Sequence, residues 1–188
     1  RQAIKLIRDA GFKFSVHMMP NLPGSTVEKD YDMMVKLFAD PAYRPDFLKL
    51  YPCLVLPYSE LEQWWKRGEY QPYSDEVLTD LIIRIKKIVP EYVRIDRLIR
   101  DIPGDSILAG SLITNLRQMI EKDRVIHGEW KCHCIRCREV RSDTVEAKNI
   151  VYKKDEFEAA DGKEFFMTYE DVANDKILSL LRLRFPSY

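Results

Sequence analysis

The chain has 188 residues, with 30 Lys+Arg balanced by 30 Asp+Glu and 46% hydrophobic residues. That is apolar material for one full domain or parts of two, and the balance of signs excludes disorder driven by net charge. No apolar run approaches the roughly 18 residues of a membrane span, and residues 1–10 read as amphipathic helix rather than as a secretory leader. Charge is graded along the chain. Residues 94–141 carry 10 basic and 7 acidic side chains, and residues 142–188 carry 7 and 10. A basic middle beside an acidic end suits a polyanion-facing segment joined to something different.

In chain order, Ile4 and Ile7 with the stop at Gly11 read as the close of a helix. Phe12–Met19 reads as a strand and Pro20–Gly24 as a loop. Ser25 or Thr26 caps a helix that runs to about Ala39 and buries Tyr31, Met34, Val35 and Phe38. Phe47–Tyr51 is a second strand, apolar enough for a sheet covered by helices. Ser59 caps a helix over residues 60–67, stopped by Gly68. Ser74 opens a longer one with Val77, Leu78, Leu81, Ile82, Ile85 and Ile88 inward, ending before Pro90. Val93–Ile99 alternates with period two, as strands do. This is the rhythm of βα units around a parallel sheet, and it starts and stops mid-pattern, as a fragment would. After a boundary near Ser142 the character changes. Residues 145–153, 163–169 and 177–185 read as an antiparallel meander with turns at Asp161–Gly162 and Asn174–Asp175.

Of the four cysteines, Cys132, Cys134 and Cys137 lie within six residues. That crowding points away from a secreted disulfide framework and towards a reducing, cytoplasmic setting. Three thiolates this close can converge on one tetrahedral ion, and zinc suits sulfur-rich closed sites. A fourth ligand is needed: His133, His127, water or a residue from elsewhere. His17, in an apolar strand, reads as a satisfied core histidine. Arg124, Lys131, Arg136, Arg138 and Arg141 surround the cysteines, and Arg94, Arg97 and Arg100 precede them. Guanidinium groups bind phosphate oxygens two at a time, so a groove facing RNA fits, although strand spacing keeps the last three from sharing one face. Met19–Ser25 joins a strand to a helix start, where α/β folds place ligands.

Five segments occur together and in order: His17–Ser25 (HMMPNLPGS), Phe47–Pro52 (FLKLYP), Arg97–Pro103 (RLIRDIP), Asn115–Gln118 (NLRQ) and Arg136–Val140 (RCREV). With them the chain closely resembles the catalytic subunit of the Elongator complex and its stand-alone prokaryotic relatives. These proteins join a radical S-adenosylmethionine (SAM) domain to a GNAT-type acetyltransferase domain. The resemblance implies three parts: residues 1–110 as the C-terminal part of the radical SAM partial (β/α) barrel, 111–141 as a linker with the zinc motif and basic patch, and 142–188 as the first strands of the acetyltransferase domain.

It also implies modification of the wobble uridine of tRNA at carbon 5. A [4Fe–4S] cluster and SAM would generate a radical that acts on acetyl-CoA and leads to a carboxymethyl group. On matching positions, Pro23, Gly24, Lys49 and Tyr51 fall near SAM. Arg97, Arg100, Arg136 and Arg138 fall at the tRNA, and Cys132, Cys134 and Cys137 at zinc. The cluster's own cysteines would lie before Arg1 and the CoA-gripping segment after Tyr188, so the isolated piece is expected to be inactive. The partners implied are tRNA, acetyl-CoA and either self-association or other Elongator-type subunits, with no membrane. A zinc-stapled RNA-binding module without catalysis and a different radical SAM enzyme are the alternatives.

Overall fold

Two short βα crossovers build a parallel sheet near the start of the chain. The computed structural model describes residues 1–99, 102–113, 115–128 and 130–187, with the side chains of 123–127 outside that description. Helix α1 (Gln2–Asp9) leads to β1 (Ser15–Met18), α2 (Val27–Ala39), β2 (Phe47–Leu50), α3 (Glu60–Lys66), α4 (Asp75–Ile88) and β3 (Arg94–Arg97). Thr26, Ser59 and Ser74 cap α2, α3 and α4, each accepting from the backbone N–H three residues on. The strands pair in parallel in the order β1-β2-β3, with His17 opposite Lys49 and Lys49 opposite Arg97.

The core lies on one face of this sheet. Leu48, Leu50 and Ile95 pack there against Met34, Leu37 and Phe38 of α2 and against Leu78, Leu81, Ile82 and Ile85 of α4. The expectation of burying Val35 and Val77 fails, because each sits one position off its helix stripe and is exposed. Burial alternates along β2 and β3, so helices cover one face of the strands rather than two.

Residues 111–141 do not run as a bare connection. Helix α5 (Leu116–His127) and the single turn α6 (Ile135–Arg138) bring Leu116, Ile120, Trp130, Cys132 and Cys134 into the same core as α2 and α4. Three strands then form an antiparallel meander: β4 (Ile150–Ala159), β5 (Gly162–Asp171) and β6 (Lys176–Phe185). The first begins five residues later than the pattern suggested, because Ala147–Asn149 form a 3-10 turn before it. Ala160 and Asp161 both take left-handed backbone (φ 47° and 63°), which closes a two-residue hairpin. Gly162 follows because a Cβ there would meet Arg184 at 2.6 Å and the Phe185 carbonyl at 2.7 Å.

Charged groups sealed from water join the two sheets. Asp46, just before β2, accepts from the Phe14 N–H (3.1 Å) and pairs with Arg182 of β6 and with Arg8 of α1 (3.5 Å). Arg8 also donates to Glu164 of β5 (2.8 Å), which takes a second guanidinium from Arg184 (3.1 Å). Arg184 in turn reaches Asp9 (2.6 Å). Phe14 and Asp46 precede their strands, so the meander is fixed to the N-terminal ends of the parallel sheet. Replacing Arg8 with Met should lower unfolding stability by about 3 kcal/mol in urea titrations, since it takes one guanidinium from each of two buried carboxylates. An unchanged midpoint would show that Arg182 and Arg184 suffice.

Candidate functional site

The C-terminal ends of the parallel strands remain uncovered by the meander. Pairing continues past β1 and β2, with Tyr51 N–H donating to Met18 (2.9 Å) and Cys53 N–H to Pro20 (2.9 Å). The loop 19–26 is held from below. Asn21, left-handed at φ 65° and buried, accepts from the Tyr70 hydroxyl on its carbonyl (2.8 Å) and from the Tyr73 N–H on its side chain (2.6 Å). Asp30 of α2 is buried and accepts from Asn21 N–H (2.7 Å), Ser25 Oγ (2.6 Å) and Tyr73 Oη (2.9 Å). Burial, helped by Asp30, holds the Tyr73 phenol above its ordinary range, so it stays a donor. Gly24 sits at φ +80° at the loop tip with open space around it, a conformation that suits glycine. Asp30, Asn21, Tyr70 and Tyr73 were missed from the sequence. The signal available was an Asp in the first turn of the helix after a Pro/Gly loop.

The residues assigned to SAM by resemblance fall around this edge but not in one cavity. Pro23 lines a cavity of about 240 Å³ with Leu22, Cys53, Leu61 and Trp64. Tyr51 lines another, of about 350 Å³, with His17, Met18 and Met19. Lys49 stands between His17 and Arg97 in register, so the three residues cross the sheet in a row. His17 is not a core histidine. It is exposed, on the strand face away from the helices, with its ring edge-on to Tyr51 at 5.4 Å.

The arginines divide. A bulge between Leu48 and Lys49 advances β3 by one residue and sets Arg97 opposite Lys49. Arg97, Arg117 and Arg136 then line a cavity of about 410 Å³ with Asp96, Gln118 and Leu116. Arg117 donates to the Ile95 carbonyl (3.1 Å), and burial, reinforced by nearby Arg136, lowers its pKa. The Nε of Arg136 is buried and has no hydrogen-bond partner among the described residues. Arg138 does not belong to this groove. It is 1% exposed and held by Glu170, Glu91 (3.1 Å) and Asp175 (2.9 Å), so no phosphate can reach it. Arg94 pairs with Glu139 and Asp96. Arg100, Glu129 and the side chains of Arg124 and His127 lie outside the described residues. Arg117 and Gln118 were absent from the sequence expectation as separate ligands, although the Asn115–Gln118 segment had been singled out.

The thiols of Cys132, Cys134 and Cys137 lie within 4.8 Å of one another. The edge of a zinc tetrahedron with Zn–S near 2.3 Å is about 3.8 Å, so the set fits one ion. Cys134 is the N-cap of α6, and its carbonyl accepts from Cys137 N–H (3.0 Å) and Arg138 N–H (3.3 Å). Hydrogen bonds from Cys132 and Cys137 hold the Cys134 thiol well below its ordinary pKa, while the same contacts raise that of Cys132. His133 is not in the thiol group; it is half-buried, with Nδ1 4.0 Å from Asp175. Cys53 packs elsewhere, with Tyr70, and burial pushes its thiol up.

A partial α/β barrel segment with its strand ends free, a compact thiol cluster and an antiparallel sheet locked beneath define a radical SAM-type fold extended by a second unit. Comparison bears this out: the family model of the radical SAM C-terminal domain matches residues 45–132. The tRNA uridine(34) acetyltransferase of Methanocaldococcus jannaschii is 42% identical over 98% of this chain and 35% of its own length. That of Dehalococcoides mccartyi is 44% identical over 98% and 40%. Human Elongator complex protein 3 is 38% identical over 97% and 34%. The solved structure of the archaeal Elp3 of Methanocaldococcus infernus, with an N-terminal deletion, superposes with TM-score 0.93 at 39% identity, covering all of this chain and 45% of that one. The chain belongs to this family of Elongator catalytic subunits and stand-alone tRNA uridine(34) acetyltransferases, and spans little more than a third of the length of the curated relatives it matches. Among the described residues, no helix is long and apolar enough to cross a membrane.

Asp30→Ala leaves one buried N–H and two hydroxyls without their acceptor. A loss of about 3 kcal/mol is expected by denaturant titration, with faster amide exchange over residues 20–26. Exchange unchanged in that loop would mean Asp30 does not hold it.

Proposed function

We propose that this chain is the part of a tRNA wobble-uridine acetyltransferase that forms the mouth of the radical SAM barrel and the floor of the RNA site. The observation that carries this reading is the cavity of about 410 Å³ where Arg97, Arg117 and Arg136 converge beside the free strand ends. Three arginines lining one cavity suit a phosphate of an RNA backbone. Homology along the whole chain to enzymes named for tRNA uridine(34) supports the choice of RNA.

In this reading the Pro23–Gly24 loop and the Lys49–Tyr51 strand end bind SAM, with Gly24 allowing close approach of backbone. The [4Fe–4S] cluster and SAM, when bound, supply radical chemistry that can act on an unactivated C–H bond of the acetyl-CoA methyl, leading to carboxymethylation at carbon 5. The residues of this chain orient and exclude: Asp30 and Tyr73 keep the loop rigid, and the arginines hold the RNA over the sheet edge. Cys132, Cys134 and Cys137 hold a structural zinc ion. Residues 1–110 are barrel, 111–141 carry zinc and basic patch, and 142–188 open a GNAT-type acetyltransferase domain. The setting is cytoplasmic, with tRNA, acetyl-CoA and other Elongator-type subunits or a second copy as partners.

In the intact enzyme, tRNA should stimulate acetyl-CoA hydrolysis. Arg97→Ala and Arg136→Ala should each weaken tRNA binding and reduce its salt slope by about one. Binding without hydrolysis would favour an RNA-binding module, and wild-type salt slopes in both variants would remove the cavity from the RNA path. Metal analysis should find one zinc per chain, released as pH falls and the thiolates take up protons. Metal-free protein would sink the thiolate site.

A further inference from the structure

One lysine sits where the sequence demands an apolar side chain. The buried stripe of α4 runs Leu78, Leu81, Ile82, Ile85 and then Lys86, which is 0% exposed. An uncompensated ammonium in a core costs far more than the fold can supply, so its surroundings must repay it. They do so with sulfur. Lys86 Nζ lies 3.4 Å from Cys137 Sγ, 3.6 Å from a Glu121 carboxylate oxygen and 6.0 Å from the centre of the Trp130 ring. Cys137 Sγ is 3.8 Å from that same Glu121 oxygen. Lysine, thiol and carboxylate form a triangle on the inner side of the thiol cluster.

Resting on the zinc reading above, we propose that Lys86 is the buried counter-charge of the loaded cluster, donating to Cys137 and holding the site for metal. A zinc ion with three thiolates carries a net charge of −1, and Cys132 and Cys134 are almost wholly sealed from water. That charge needs a buried positive partner, and Lys86 supplies it at hydrogen-bond range of a ligand sulfur. Glu121 is about one-third exposed, so water screens it, and its place is to aim the ammonium. Among the described residues Arg117 also feels these sulfurs, but its guanidinium is engaged with the Ile95 carbonyl and faces the arginine cavity. Lys86 is therefore a positioning residue rather than a ligand, and packing alone would have been better served by Leu or Met.

The test uses the intact protein, stripped of metal and titrated with Zn²⁺ and Co²⁺ against a chromophoric chelator. Lys86→Met and Lys86→Gln should bind zinc about 10–100-fold more weakly, while their cobalt forms keep the thiolate charge-transfer bands of three sulfur ligands. Lys86→Arg keeps the charge and should stay within a few-fold of wild type. If Lys86→Met fails to fold, the Gln and Arg variants carry the comparison. Equal zinc affinity in all of them would overturn the proposal while leaving the zinc site standing. Wild-type protein that binds neither ion would overturn the zinc reading, and the role of Lys86 with it.

Discussion

The architecture depends on a carboxylate that water cannot reach. Asp46 gathers the Phe14 N–H, Arg182 and Arg8 at the point where the parallel sheet begins, and Glu164 repeats the device from the other side with Arg8 and Arg184. Each group is expensive to bury alone and tolerable only with the others in place, so the pairing selects one relative placement of the two sheets. Apolar contact would be less discriminating. Tyr92 stacked on Phe157 at 4.0 Å, and Ile135 packed on Phe166 and Ile177, supply adhesion around this charged centre.

That placement has a functional consequence. The lock lies at the N-terminal ends of the strands, so the second sheet is attached without obstructing the C-terminal ends, where βα loops build sites. A rigid loop at Asn21–Gly24, the row His17–Lys49–Arg97 and the arginine cavity all lie on the free edge. The charged lock and the candidate site lie at opposite ends of the same four-residue strands.

Local structure was legible in the sequence wherever it is governed by short-range rules. The caps at Ser59 and Ser74, the stop at Gly68 and the apolar stripe of α4 follow from hydrogen-bond supply and helical period. Tertiary placement was not. His17 has strand neighbours that read as apolar, but its exposure depends on which face the helices cover. Asp30 looks like an ordinary first-turn acid until Asn21, Ser25 and Tyr73, from 5 to 43 residues away, aim donors at it. Lys86 continues a stripe that hydrophobicity alone would break at that position.

Arg136 and Arg138 show why composition misleads about basic patches. Two residues apart on a helical turn they point about 200° away from each other, so one guanidinium reaches the cavity and the other the interior. Their directions are set by the turn α6, whose N-cap is Cys134 and whose third residue is Cys137. The turn and its N-cap together therefore carry two of the three sulfurs, the arginine that lines the cavity and the arginine that anchors Glu170 of the second sheet. An ion drawing the sulfurs together would fix the pitch of that turn, and with it both the shape of the basic cavity and one anchor of the sheet beneath. The thiol cluster thus lies at the joint between the basic cavity and the packing of the second sheet.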